Sequence, residues 1–136
     1  MDAWERWWLM AQGSLKAAQL LAAQREIAQR EMRSSASRAY YATYQFVTAI
    51  LLYHNMTPPD GREAWTHDAT PELIWRLSNA VITHDARKDV ASRLRTSYAL
   101  RVIADYVSGE EVREIDLKTA LKNASFVARL ASDVLS

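Results

Sequence analysis

Arg101 and Asp105 are the charged side chains whose placement asks most of this sequence. They stand one helical turn apart in "LRTSYALRVIADY" (94–106), and Tyr106 follows directly. On a helical wheel Val90, Leu94, Tyr98, Arg101 and Asp105 share one quarter of the circumference, so both charges fall on a core-facing surface. A lone charge there is costly, whereas opposite charges four residues apart compensate each other. An Arg held in this way also presents a planar fork of donors that matches phosphate or carboxylate. On these residues alone two readings stay open. One is a partly buried structural ion pair, hydrogen-bonded to a Tyr of another helix; the other is an anion site.

A matching surface lies in "SRAYYATYQFVTAILL" (37–52). Ser37, Tyr41, Tyr44, Gln45 and Thr48 form a polar and aromatic stripe beside Ala39, Ala42, Phe46, Ala49, Ile50 and Tyr53. Buried Tyr hydroxyls need partners, and Arg101 or Asp105 can supply them. "REAWTH" offers Arg62 and His67 in a loop containing Pro and Gly, where His67 is placed either to cap the next helix or to approach the Arg101–Asp105 pair. His54 and His84 read as structural, the second at a helix end where a cation suits the dipole. The three His lack metal-ligand spacing, so neither a metal site nor a cofactor is expected. "ARKDVASRLR" (86–95) gathers Arg87, Lys88, Arg93 and Arg95, readable as a solvated face or as a surface for phosphates.

The elements that must position these groups are helical. Only three Gly and three Pro occur in 136 residues, and Ala, Leu, Arg, Glu and Gln dominate. The composition, 49% hydrophobic and 24% charged, suits one globular all-α domain over residues 1–136, an up-and-down bundle of four to five helices. The periodicity predicts helices over about 3–24, 27–55, 71–84 and 86–107, and a fifth capped by Asp116. Thr70 reads as the N-cap of the third, Gly109 as the C-terminal cap of the fourth, and 54–70 as a long loop. Net charge is only +1, which gives no field toward nucleic acid or membrane, although Arg outnumbers Lys by 13 to 4. Cys is absent, the N-terminus does not read as a secretory signal, and the run "AYYATYQFVTAILLY" is shorter than the ~20 residues of a membrane span. A cytoplasmic protein with no membrane segment is expected. Trp4, Trp7 and Trp8 crowd one turn and suggest a dimer or partner interface.

Taken in order, the run at 37–52, His67, the run at 94–106 and "LKTALKNASFVARL" (117–130) resemble the HEPN-domain family, in the branch whose late helix carries Arg-x-x-Ala-Asp-Tyr. The resemblance covers roughly residues 10–135. It implies a homodimeric helical bundle, paired with a minimal nucleotidyltransferase in a toxin–antitoxin or defence system. It also implies Arg38, Tyr41, His67 and Arg101 as nucleotide- or RNA-binding residues, Arg101, Asp105 and Tyr106 as the catalytic candidates, and Tyr106 as the position that a partner would adenylylate. Active relatives are metal-independent ribonucleases with a His a few residues after the Arg. Here Asp105 and Tyr106 occupy that region, and Asp cannot replace an imidazolium beside a phosphate. The first expectation is therefore a nucleotide- or RNA-binding module. The alternatives are an endoribonuclease using Arg101 with a non-standard helper (His67, Tyr106 or Asp105), and a purely structural interaction subunit.

Overall fold

The computed structural model describes residues 1–24 and 26–135. Among the described residues there are five α-helices: α1 (Ala3–Ala22), α2 (Gln29–Tyr53), α3 (Thr70–Leu73), α4 (His84–Tyr106) and α5 (Glu114–Val134). A 3₁₀ turn, Ile74–Arg76, continues α3. The expected all-α bundle is what forms. None of its helices is long and apolar enough to cross a membrane, among the described residues.

α2 is the central element and packs against α1, α4 and α5. Its middle is buried on every side, from Ala42 to Leu51, as suits a helix surrounded by three others. α1 buries only Ala11, Ser14 and Ala18, one narrow face of small residues that lets the two backbones come close. Ser35 uses that proximity to donate to the Ala18 carbonyl at 2.7 Å, and Ser14 Oγ meets the Gln45 amide at 2.7 Å. The three N-terminal Trp rings turn inward onto α2. Trp4 packs on Tyr53, Trp7 on Tyr44 and Trp8 on Phe46, with centroids 5.1, 6.2 and 5.4 Å apart. α1 leaves Leu9, Met10 and Leu20 exposed instead.

Several boundaries depart from the sequence pattern, each for a local reason. The third helix was expected to reach His84 but ends at Leu73, and Leu77 is already extended. Ser78 and Asn79 favour a turn there, and Val81, Ile82 and Thr83 are β-branched. Thr70 is not the N-cap: it begins α3 and its hydroxyl donates back to the Thr66 carbonyl at 2.9 Å. Thr83 caps α4, accepting from the Ala86 N–H, so that helix starts earlier than expected. Asp116 sits inside the first turn of α5, where it accepts from the Arg113 N–H at 3.2 Å and from the Arg113 guanidinium at 3.0 and 3.1 Å. α2 closes on Asn55 at φ 64°, with Asn55 N–H bonded to Leu52 O and Met56 N–H to Leu51 O. This is a Schellman closure with Asn in the left-handed position that Gly more often takes.

The end of α4 is closed differently. Gly109, expected as its cap, does not adopt a left-handed conformation. Arg33 reaches across from α2 and donates to the carbonyls of Ile103 (2.9 Å), Ala104 (3.0 Å) and Val107 (3.1 Å), and also to Glu110 O. Gln29 holds the next segment by a two-way bond to Val112, accepting from its N–H at 2.5 Å and donating to its carbonyl at 3.1 Å. Beneath them Met32, Ala36, Ala104, Val112 and Leu117 form a small second core. The turn of α4 that carries Asp105 and Tyr106 is thereby fixed to α2.

Candidate functional site

Arg101 is the centre of the site. Its side chain is 11% exposed and its Nε lies 2.9 Å from Asp105 Oδ2, the expected i,i+4 pair. The angle leaves Nε without a hydrogen bond, so this contact is chiefly charge–charge. Nη2 donates to Tyr41 Oη at 2.8 Å and to Tyr106 Oη at 3.2 Å. The guanidinium also lies over both rings, 5.3 Å from the Tyr41 centroid and 5.0 Å from that of Tyr106. Ser37 Oγ completes the link to α2 by donating to Asp105 Oδ2 at 3.1 Å. Burial works against the Arg101 charge, but Tyr41, Tyr106 and Asp105 outweigh it and hold its pKa above the ordinary value.

His67 joins this cluster from the loop between α2 and α3. The loop turns at Gly61, whose φ of 75° disfavours any residue with a side chain. It is then pinned by Trp65, buried in the main core, whose carbonyl accepts from Tyr44 Oη at 2.5 Å. His67 therefore enters a box of tyrosines. Its Nδ1 shares a hydrogen bond with Tyr40 Oη, and its ring lies 4.6 Å from Tyr44, 5.7 Å from Tyr98 and 6.0 Å from Tyr41. Desolvation, helped by the Arg101 charge, lowers the His67 pKa, while Asp68 pulls the other way. The imidazole is thus neutral near pH 7. Burial raises the pKa of Tyr40 and of Tyr44, so both keep their phenolic protons.

Arg101, Asp105, Tyr106, Tyr41 and His67 thus lie in one connected cluster. Arg38 is exposed on α2, one turn before Tyr41, and makes no ion pair among the described residues. Tyr106 is 69% exposed, so its ring is accessible although its hydroxyl touches Arg101. Arg62 is exposed in the loop and has no part in the cluster.

The basic run 86–95 is mostly taken up by the fold. Arg87 is buried and donates to the carbonyls of Trp75 and Leu77 and to Asn79, tying α4 to the turn before it. Arg93 donates to Asn123 Oδ1 at 2.9 Å and covers Phe126, and Arg95 pairs with Glu72 at 2.5 Å. The fold thus engages Arg87 and Arg93, and leaves Lys88 and part of Arg95 at the surface. Among the described residues, no group of three or more His, Cys, Asp or Glu is placed to hold a metal ion.

Tyr40 and Tyr98 complete the cluster, their centroids 5.5 Å apart, and neither is a site candidate by sequence. Tyr98 does lie on the wheel sector of Arg101, but nothing in the order of residues indicates that a loop His would stack on it. Compared with protein-family models and with curated proteins, the chain gives no match. What the site can do follows from its chemistry. It offers one guanidinium, one neutral imidazole and several phenols as donors, stacking surfaces and proton carriers, the combination suited to a phosphate ester with an aromatic base.

Proposed function

We propose that this chain is a HEPN-type helical module that binds nucleotide or RNA phosphate at Arg101. It would act in the cytoplasm as a homodimer within a two-component toxin–antitoxin or defence system, alongside a minimal nucleotidyltransferase. The observation that carries this reading is the mounting of Arg101. Two Tyr rings and a carboxylate fix the plane of its guanidinium, so little rotamer freedom remains to be lost when an anion arrives. Tyr106 is exposed enough for a partner enzyme to reach.

Fluorescence anisotropy with a labelled single-stranded RNA tests the binding. Arg101→Ala is expected to lose at least tenfold in affinity while still melting cooperatively. Equal affinity in the two proteins would leave Arg101 as a structural ion pair and favour an interaction subunit. Incubation with the partner nucleotidyltransferase and ATP is expected to add one AMP to Tyr106, read by mass spectrometry.

A second reading is favoured by His67. A neutral imidazole in the Arg101 cluster is a base suited to take the proton of a ribose 2′-hydroxyl as that oxygen attacks phosphorus and the P–O5′ bond breaks, the 5′-oxygen leaving as a hydroxyl protonated by solvent, while Arg101 balances the charge on the phosphate. This reading predicts RNA cleavage in the presence of EDTA, with 2′,3′-cyclic phosphate ends. His67→Ala and Arg101→Ala should each abolish it; intact cleavage in both would exclude this pair as the machinery.

A further inference from the structure

Beside the Arg101 cluster lies a recess of 180 Å³ between the His67 loop, α3 and α4, lined by His67, Asp68, Pro71, Leu94, Arg95 and Tyr98. Its size sets the class of occupant. Pockets for drug-sized ligands run to about 300–1,000 Å³, so this one takes a single ring system. Its walls narrow the class further. His67 and Tyr98 are nearly parallel, with 21° between their planes and 5.7 Å between centroids, and offer an aromatic surface. Pro71 and Leu94 are buried and apolar. Tyr98 is 38% exposed, which leaves part of its ring free to be covered.

The charged groups in its lining are two and of opposite sign. Asp68 makes no ion pair among the described residues and is an acceptor open to solvent. Arg95 is half exposed and shares its charge with Glu72. A flat ring that stacks on aromatic side chains and carries N–H donors at its edge answers all of these features. We propose that the recess is a nucleobase site, selective for bases with an exocyclic amino group, which Asp68 accepts from. Tyr98 and Arg101 are three residues apart on α4, a rise of about 4.5 Å, so a ribose can bridge a base in the recess and a phosphate at Arg101. The proposal deepens the nucleotide reading above and rests on it for the phosphate end only.

Isothermal titration of the full chain with AMP, CMP, GMP, UMP, cytidine and ribose 5-phosphate tests it. At least one amino-bearing nucleotide is expected to bind tenfold or more tightly than ribose 5-phosphate, and more tightly than UMP. Tyr98→Leu keeps apolar bulk but removes the ring, and it should erase the advantage over ribose 5-phosphate. Asp68→Asn, at an exposed position, should erase the preference over UMP. If ribose 5-phosphate matches every nucleotide and Arg101→Ala abolishes both, the base site is refuted and the phosphate site stands. If cytidine binds as well as CMP and Tyr98→Leu abolishes both, the base site stands and the phosphate reading falls. No binding by any of the ligands overturns both.

Discussion

Tyr41 Oη accepts a hydrogen bond from Arg101 Nη2 at 2.8 Å while its ring lies under the same guanidinium, 5.3 Å from centroid to Cζ. One side chain of α2 thus grips one side chain of α4 in two ways. Tyr41→Phe separates them, since it keeps the ring and removes the acceptor. The expected loss in urea unfolding is about 1 kcal/mol, the scale of a single hydrogen bond. Arg101→Ala should cost more, about 1–3 kcal/mol, because it also leaves Asp105 without its partner. Asp105 is 29% exposed and can hydrate in part, which keeps the figure below that of a fully buried pair.

Arg33 should matter out of proportion to its place in the sequence. Its guanidinium adds charged donors to carbonyls in the last turn of α4 and its cap, where Ile103 O also accepts from the Val107 N–H at 3.2 Å and Val107 O from the Glu110 N–H at 3.3 Å. Arg33→Ala is expected to destabilise the protein by about 1.5–3 kcal/mol. Amide exchange should accelerate most over residues 103–107. Lys at this position cannot span several carbonyls with one ammonium and should restore only part of the loss.

Stability should fall on mild acidification. The folded state lowers the pKa of His67 and of His54, chiefly by desolvation, so the unfolded chain takes up protons first as pH drops below the ordinary His value of 6.5. Unfolding is then favoured progressively, and stability rises with pH through that window. Around His67 the groups that set this are Tyr40, Tyr41, Tyr44, Tyr98, Asp68 and Arg101. The urea midpoint is expected to be higher at pH 7.5 than at pH 5.5, and His67→Gln should flatten part of that difference. The carboxylates of Glu31 and Asp116, whose pKa values are lowered, contribute only at more acidic pH.

Phe46 and Leu51 are almost fully buried, and Phe46 also supports Trp8. Replacing either by Ala should cost about 2–5 kcal/mol, enough to threaten folding in a domain of this size. A thermal melt that shifts by only a few degrees would show that the space collapses around the truncation.

The legible parts of the molecule are those governed by spacing along one helix. The Arg101–Asp105 pair follows from four residues on a 3.6-residue period, and Tyr41 as its partner follows from the polar stripe of α2. Arg33 and Arg87 were not legible, because their partners are backbone carbonyls of distant segments that no pattern of side chains reveals. The tyrosine box around His67 was hidden for another reason. It depends on Trp65 burying itself and pulling a loop across α2, a tertiary event, and "REAWTH" shows only that a His is available. The third helix stops short of His84 because Leu73, Ile74 and Leu77 keep a helical spacing only to the point where the chain turns extended at Leu77, and Ile82 is then buried from a non-helical segment.

If Arg101 receives a phosphate, as proposed, it does more than hold α4 to α2. Nuclear magnetic resonance of the arginine Nε–H groups, followed while a short single-stranded RNA is added, tests this at the atom concerned. The Arg101 signal is expected to move most, with the rings of Tyr41, Tyr106 and His67 moving in step. An Arg101 signal that stays fixed while Arg76, Arg93 or Arg95 responds, or while none does, would contradict it.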